Sequence, residues 1–501
     1  MSESGESGII SFWKRPLWIV VALTILGGVL RWSGLFTELW LDEIWSVQLA
    51  AAADSWVEVL TGIRISNNHP LNTWWLMMWG ERGGEMWWRL HSWLAGVAMI
   101  PVCYWVVRRG GGPTGAGIGA AVLVTVSFFN IVYASEARGY VMAMLCVVVG
   151  LGAIWGRPQS PGWRMVLLYQ VSAVTGVLAN AGYLVFWVAL VLWHVGVVMW
   201  ERRSWIEWLR GGRLLGLMHG PVGVLMVGYW WYVVRKFEWV GGGHLQYRGV
   251  LDQAAGWMFN CGWISWPSLF VIVIVILSLI WLWYRGWREA SVFFLLAIFL
   301  MPWLVFRIAP PKATGYAHLV ILLPQYFFIP GTLGLLATGW ALADFLCVAR
   351  PRGVRAIAVV LFTLSLLGAI PMLSTFYRYG RGGIGDAVRE IANSSTPGEE
   401  ILVGFNTPGR MPKEVLFHAE RLPGDLGKRL RHIDQPEWKE APPEWVVGLV
   451  TGPYPEKVRQ FEARDSSNGD EILRYKLFEA YRYGEATGYH CLLFRRESSE
   501  D

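Results

Sequence analysis

The stretch Glu38-Leu-Trp-Leu-Asp-Glu-Ile-Trp-Ser46 follows the first long apolar run of the chain and places Asp42 and Glu43 side by side. Adjacent carboxylates at a membrane surface are costly to desolvate, and they are tolerated when a cation, a metal ion or a proton meets them. The stretch therefore predicts a site at the mouth of a membrane helix.

The composition predicts a polytopic membrane protein. Of 501 residues, 54% are hydrophobic and 16% are charged, with a mean hydropathy of +0.38. A soluble protein of this length would carry about 25% charged residues. The net charge of +6 comes largely from arginines between apolar runs, where the positive-inside rule places them, so we expect no nucleic-acid partner.

Apolar runs of helix-spanning length predict about eleven transmembrane helices. With the N-terminus in the cytoplasm, the basic clusters at 108–109, 157–164, 202–213, 285–288 and 350–355 all fall inside, as the positive-inside rule requires. An odd number of spans puts the C-terminal tail outside. We therefore expect a multi-pass protein of the inner (plasma) membrane with a cytoplasmic N-terminus.

The composition changes near residue 377, which predicts a transmembrane domain over 1–376 and a soluble extracytoplasmic domain over 377–501. In the second part the apolar runs shorten to strand length and alternate with helical segments, a pattern typical of a small α/β domain. The predicted strands are Ile401–Phe405, Glu414–His418, Trp445–Val450 and Cys491–Phe494, and the predicted helical segments include Gly385–Ala392 and Pro455–Arg464.

Three segments on the predicted outer side carry candidate chemistry. Asp42 and Glu43 are equally compatible with the cap of a following helix and with a general base or metal ligand. The segment His69-Pro70 is compatible with a plain turn or helix start. In Glu136-Ala-Arg138-Gly-Tyr140, the arginine either neutralises its neighbour or grips an anionic group such as phosphate.

Taken together, the three segments resemble the GT-C class of membrane glycosyltransferases. The resemblance is to bacterial relatives of protein O-mannosyltransferases and of the aminoarabinose transferase that modifies lipid A. It is carried by Leu41-Asp42-Glu43, Asn68-His69-Pro70-Leu71 and Ser135-Glu136-Ala137-Arg138-Gly139-Tyr140, and it covers most of the first 200 residues. Two features depart from the family: a second proline is missing after Pro70, and Tyr316-Ala317-His318 stands where relatives have an Arg-Tyr pair.

The resemblance implies a GT-C fold and a donor sugar carried on a polyprenyl phosphate, with the bilayer holding its tail. It implies that Asp42 and Glu43 are catalytic: Asp42 as general base toward an acceptor hydroxyl, and Glu43 orienting the acceptor. A divalent metal held by Asp42 and Glu43 stays open as an alternative, since the family differs on metal dependence. The implied acceptor is a protein, a lipid or a glycan.

The resemblance also assigns the remaining candidates. Arg138 stabilises the departing phosphate, and Lys312, His318 and Arg307 are the candidates to replace the missing Arg-Tyr pair. The implied substrate-binding residues are His69, Glu136 and Tyr140. Outside this class, the alternative is a transporter or flippase of lipid-linked sugars, which would also need polar residues at membrane depth.

Overall fold

The computed structural model describes most of the chain. The described residues are 6–65, 67–80, 83–156, 160–200, 204–236, 247–303, 327–348, 352–405, 411–423, 426–438, 440–450, 458–464, 472–483 and 490–497. They form two compact units. The first unit comprises Met1–Leu35 and Ser46–Ile370, and the second comprises Phe36–Trp45 and Pro371–Asp501.

The first unit is helical. Its helices are α1 (Glu6–Trp32), α2 (Leu41–Ala52, whose first residues belong to the second unit), α3 (Trp56–Thr61), α4 (Pro70–Trp79), α5 (Glu85–Arg109), α6 (Thr114–Val126), α7 (Phe128–Tyr133), α8 (Tyr140–Ile154), α9 (Trp163–Ala179), α10 (Tyr183–Trp200), α11 (Trp205–Tyr232), α12 (Tyr247–Phe259), α13 (Pro267–Tyr284), α14 (Arg288–Leu295), α15 (Phe328–Val348) and α16 (Arg352–Tyr379, which continues into the second unit).

Seven helices within the described ranges are long and apolar enough to cross a membrane, and three shorter apolar helices accompany them. The chain is a multi-pass membrane protein. The predicted fold class, mainly helical with a small C-terminal α/β part, is confirmed, while the count of about eleven spans stays a prediction. Many large apolar side chains of these helices are exposed, as expected for surfaces that face lipid rather than water.

Small residues let the helices of the first unit approach closely. Helix α6 packs against α15, and a Cβ added to Gly119 would lie 2.5 Å from the carbonyl oxygen of Gly339. Without a hydrophobic driving force between helices in lipid, such backbone contact is a main source of packing energy. The buried guanidinium of Arg31 donates to the carbonyl oxygens of Val124 and Thr125, which ties α1 to the same helix α6.

The second unit is built on a sheet whose strand order, within the described residues, is β2-β1-β3-β6-β5-β4. β1 is parallel to β2 and β3, and the remaining neighbours are antiparallel. The strands are β1 (Ile401–Phe405), β2 (Leu430–His432), β3 (Trp445–Val450), β4 (Gln460–Arg464), β5 (Ile472–Tyr481) and β6 (His490–Arg496), and the helices are α17 (Ile384–Ser394), α18 (Met411–Arg421) and α19 (Leu426–Arg429).

Alternate residues of the strands serve two separate apolar clusters. In β3, Trp445 and Val447 pack in one cluster with residues of α17 and α18, whereas Val446 packs in the other cluster with Trp438 and Tyr475. This alternation follows from the two-residue period of a strand, and it buries both faces of the centre of the sheet.

Two secondary-structure predictions for the tail are wrong. The predicted strand Glu414–His418 lies inside α18, because Val415 and Ala419 recur at the four-residue spacing of a helix and are both buried. Residues 460–464 of the predicted helical segment Pro455–Arg464 form strand β4, where Phe461 and Ala463 alternate onto one apolar cluster.

Candidate functional site

Asp42 and Glu43 lie in the first turn of α2. The carbonyl oxygen of Trp40 accepts from the backbone N–H of Glu43 at 2.9 Å and of Ile44 at 3.0 Å. In return, the Glu43 carboxylate accepts from the backbone N–H of Trp40 at 3.4 Å. Glu43 therefore does part of the work of a helix cap, and its negative charge suits the positive end of the helix dipole.

The two carboxylates differ in exposure. Glu43 is fully buried, whereas the side chain of Asp42 is partly exposed. A base that removes a proton from a substrate must come within hydrogen-bond reach of it. The geometry therefore separates the pair into Glu43, which supports the turn, and Asp42, whose side chain is partly exposed.

His69 stands at the N-cap position of α4, and Pro70 is the first residue of the helix. Its neighbour Asn68 holds the turn, since the amide of Asn68 donates to the carbonyl oxygens of Val59 at 2.8 Å and Ile63 at 3.0 Å. The hydroxyl of Thr73 donates to Asn68 at 3.0 Å. His69 is itself 5% exposed, so a well-bonded turn fixes its ring in a buried position.

Arg138 joins the second and third motifs in one cluster. Its Nη2 donates to His69 Nε2 at 3.2 Å and to the Tyr140 hydroxyl at 2.8 Å. The Arg138 guanidinium carbon also lies 4.9 Å from the centre of the Tyr140 ring. A guanidinium held by two acceptors on one nitrogen has a fixed plane, which is the property that bidentate phosphate recognition needs.

The contact with Arg138 decides the protonation of His69. A guanidinium only donates, so His69 Nε2 acts as the acceptor in its contact with Arg138. Burial, and then the charge of Arg138, lower the pKa of His69 well below its usual 6.5. His69 is therefore a neutral acceptor at pH 7, and it orients Arg138 without adding positive charge.

Gly139 allows this cluster to close. A Cβ at position 139 would lie 1.7 Å from the carbonyl oxygen of Ala179 and 3.2 Å from the Cβ of His69. The residue after Ala179 is Asn180, whose Nδ2 lies 3.5 Å from His69 Nδ1 and whose Oδ1 accepts from Gly182 at 2.8 Å. The sequence analysis did not predict Asn180 as a site residue. The pattern that marks its position is the segment Asn180-Ala181-Gly182, which ends helix α9.

Other contacts hold the Arg138 backbone and the Tyr140 ring in place. The hydroxyl of Ser92 on α5 donates to the carbonyl oxygen of Arg138 at 2.9 Å. The Tyr140 ring makes edge contacts with Tyr133 at 5.4 Å and Phe328 at 5.3 Å between centroids. The donor geometry of Arg138 is thus set by packing on both sides of Gly139, and not by Tyr140 and His69 alone.

The predicted site residues fall into three groups. His69, Arg138 and Tyr140 meet in the cluster just described, in the first unit, and Glu136 is buried in the same segment at 1% exposure. Asp42 and Glu43 belong to the second unit. Arg307, Lys312 and His318 lie outside the described residues.

The described residues contain no cluster of three or more His, Cys, Asp or Glu side chains that could hold a metal ion. Asp42 and Glu43 supply two carboxylates, and Glu43 already accepts from a backbone N–H. Because two ligands, one of them engaged in capping, do not make a closed site, no chemical step is assigned to a metal.

No protein-family model and no curated protein sequence matches the chain. Solved structures resemble it at low identity. One is ArnT from Cupriavidus metallidurans bound to undecaprenyl phosphate, with 14% identity over 96% of this chain and 98% of that chain and a TM-score of 0.44. Another is the oligosaccharyltransferase of Archaeoglobus fulgidus in the apo form, with 11% identity over 87% of this chain and 69% of that chain and a TM-score of 0.49.

Both neighbours are GT-C glycosyltransferases, the class that the three sequence motifs resemble. The oligosaccharyltransferase has also been solved in complex with Zn and sulfate, at 11% identity and a TM-score of 0.46. Likeness at these identities and TM-scores says nothing of the sugar or the acceptor. The functional case for this chain therefore rests on its own residues.

Proposed function

We propose that the chain is a membrane glycosyltransferase that moves a sugar from a polyprenyl-phosphate donor to an acceptor hydroxyl, with inversion, on the extracytoplasmic side of the inner membrane. The observation that carries the proposal is the buried cluster of His69, Arg138 and Tyr140. It brings together two motifs 69 residues apart in sequence, and it orients a guanidinium as phosphate recognition requires.

In the proposed reaction, Asp42 accepts the proton of the acceptor hydroxyl as its oxygen attacks the anomeric carbon. The bond between that carbon and the phosphate oxygen breaks, and polyprenyl phosphate leaves with the electron pair. Arg138 stabilises the negative charge that develops on the leaving phosphate. The partial exposure of Asp42 and the burial of Glu43 support Asp42 as the base.

The remaining candidates take supporting roles in the proposal. His69 and Tyr140 orient Arg138, Glu43 supports the turn that carries Asp42, and Glu136 contributes to substrate binding. Lys312, His318 and Arg307 stay predicted phosphate ligands. A divalent metal at Asp42 and Glu43 also stays a prediction. The acceptor class, whether protein, lipid or glycan, is open within the proposal.

The test uses the full-length protein in lipid with a panel of radiolabelled polyprenyl-phosphate sugars and membrane extract as acceptor. We expect release of free polyprenyl phosphate from one donor, and Asp42→Asn should reduce its turnover by about 10²–10⁴-fold while donor binding is kept. Asp54→Asn is the matched control, since Asp54 is an exposed acid shortly after α2.

Two results would contradict the proposal. Full activity of Asp42→Asn would remove Asp42 as the base. Tight donor binding without release from any sugar on the panel would instead favour the transporter or flippase.

A further inference from the structure

The candidate base lies in a stretch that packs with the C-terminal part of the chain. Phe36–Trp45 precedes most of the membrane helices in sequence, yet it belongs to the compact unit that contains the sheet. Glu38, four residues before Asp42, contacts Gly385, which lies 347 residues later. The chain therefore carries a direct connection between the C-terminal domain and the candidate catalytic segment.

Glu38 binds α17 through both carboxylate oxygens. Oε2 accepts from the backbone N–H of Gly385 at 2.9 Å, and Oε1 accepts from Arg389 Nη2 at 3.2 Å. Arg389 also pairs with Asp386. The carboxylate thus meets a helix N-terminus, where negative charge is favoured, and an arginine one turn further along the same helix.

The first turn of α17 has room for this carboxylate because residue 385 is glycine. A Cβ there would lie 2.6 Å from Glu38 Oε1 and 3.1 Å from His418 Nδ1. Glycine in a helix is less favourable than alanine by about 1 kcal/mol. Glycine lowers the helix propensity at position 385, but it permits the close approach of Glu38, which a Cβ would obstruct.

A second contact lies one residue earlier. The Thr37 hydroxyl accepts from Arg381 Nη1 at 2.8 Å. Arg381 is 4% exposed, and its guanidinium carbon lies 5.3 Å from the centre of the Phe376 ring. The neighbouring side chains of Thr37 and Glu38 are therefore each held by an arginine of the C-terminal domain. Two adjacent contacts fix the direction of the backbone as well as its position.

Burying the Glu38 carboxylate at this position is energetically unfavourable for its ionised form. Burial first, and then the charge of Asp386, raise the pKa of Glu38 to about 7, although Gly385 and Arg389 act in the opposite direction. Burial first, and then the charges of Glu38, Glu414 and Asp386, raise the pKa of Cys491 on β6. A mostly buried carboxylate is an expensive way to attach a loop, and such groups can specify one arrangement over others.

We propose that Glu38, together with Thr37, is a positioning residue that fixes the Asp42–Glu43 segment to the C-terminal domain and so sets the orientation of the candidate base. Four residues of extended chain span at most roughly 14 Å, and between Glu38 and Asp42 the chain already enters α2 at Leu41. Movement of the anchor is therefore transmitted to Asp42 over a short, partly helical distance. The role of Asp42 in this inference rests on the proposed function.

Hydrogen exchange of the full-length protein in lipid tests the anchor without reference to activity. We expect Glu38→Ala to speed exchange of the Gly385 amide and of the Glu43 and Ile44 amides at the start of α2 by at least about tenfold. Glu38→Gln should keep most of the protection, because its amide oxygen still accepts from Gly385. Unchanged exchange in Glu38→Ala would overturn the anchor.

A second variant covers the case in which Glu38→Ala does not fold. Gly385→Ala improves the helix propensity of α17 but places a methyl group against Glu38. It should speed exchange at Glu43 and Ile44 as Glu38→Ala does, and unchanged exchange there would equally overturn the anchor. Glu444→Gln is the matched control, since it breaks a carboxylate–arginine pair of the same unit, with Arg495, at 3.0 Å.

Kinetics with the donor from which the wild type releases polyprenyl phosphate test the positioning role. We expect Glu38→Ala to lower kcat at least about tenfold with little change in the KM for the donor, and Glu38→Gln to restore most of kcat. Lost protection with unchanged kcat would overturn the positioning role. If the wild-type protein transferred no sugar at all, the proposed function would fail, and the exchange result would still decide whether the anchor exists.

Discussion

Glu38→Gln should change how the stability of the protein depends on pH. The Glu38 carboxyl has a pKa of about 7 in the folded protein, raised from 4.5, because it is buried and lies near Asp386. Glutamine keeps the shape and the acceptor oxygen for Gly385 but does not ionise. The variant therefore removes one titration and leaves the packing of the anchor nearly intact.

The direction follows from which state binds the proton more tightly. The folded state holds the Glu38 proton more tightly than the unfolded state, so this carboxyl contributes stability that is fully present below pH 4.5 and lost as the pH rises through about 7. The gap between the two pKa values corresponds to roughly 3 kcal/mol at most. The Glu38 side chain is 21% exposed, so water reduces this only in part.

The assay compares thermal unfolding of the full-length wild type and Glu38→Gln at pH 5 and pH 8, followed by tryptophan fluorescence. The second unit contributes buried Trp438 and Trp445 to this signal, among the 33 tryptophans of the chain. On going from pH 5 to pH 8, the wild type should lose up to roughly 10 °C in Tm relative to the variant. Comparing the two differences cancels any effect of the amide on packing.

A zero difference, or a relative gain by the wild type at pH 8, would refute the argument for a buried Glu38. Glu444→Gln serves as the control, because Glu444 belongs to a half-exposed ion pair with Arg495. Water and salt screen such a pair. Its pH-dependent difference should therefore be much smaller than that of Glu38→Gln.

Two further predictions concern the cluster around Arg138. Tyr140→Phe removes an acceptor of Arg138 but keeps the ring. Because a hydrogen bond to a charged group contributes about 1.5–3 kcal/mol, we expect at least roughly tenfold weaker binding of polyprenyl phosphate. Equal binding, or an equal loss in the exposed control Tyr232→Phe, would contradict this. Gly139→Ala forces a methyl group against the Ala179 carbonyl oxygen and should lower stability by about 1–3 kcal/mol, measured as Tm. Gly196→Ala, which has open space around the added carbon, should lower it little, and a similar drop in both variants would count against the close contact.

The helical part of the fold was accessible from sequence because apolar runs of membrane length are a strong, local signal. The tail was harder to predict. Strands Ile401–Phe405 and Trp445–Val450 match the prediction residue for residue, since short runs rich in Val, Ile and Leu bounded by polar residues are distinctive. Glu414–His418 contains an apolar run of three residues, Val415-Leu416-Phe417, but its helical spacing emerges only when Ala419 is included.

The site was partly accessible for a similar reason. The joint occurrence of their motifs predicts His69, Arg138 and Tyr140 as site residues, and the structure brings the three side chains into contact. The motifs gave no indication that His69 acts as the neutral partner of Arg138, because that depends on burial and on which ring nitrogen faces the guanidinium. Nor did they indicate Asn180, whose contact with His69 depends on the close approach that Gly139 permits.

Glu38 shows most clearly why a motif alone is not enough. In the sequence it is an acidic residue just ahead of the Asp-Glu pair, and nothing local separates it from a solvated surface charge. Its structural role depends on its contacts with Gly385 and Arg389, 347 and 351 residues away. The absence of a Cβ at Gly385 provides the space for its carboxylate. Since the proposed base follows four residues later, changes in the first turn of α17 should alter catalysis without touching a substrate. A glycosyltransferase of this design would present its base through its C-terminal domain.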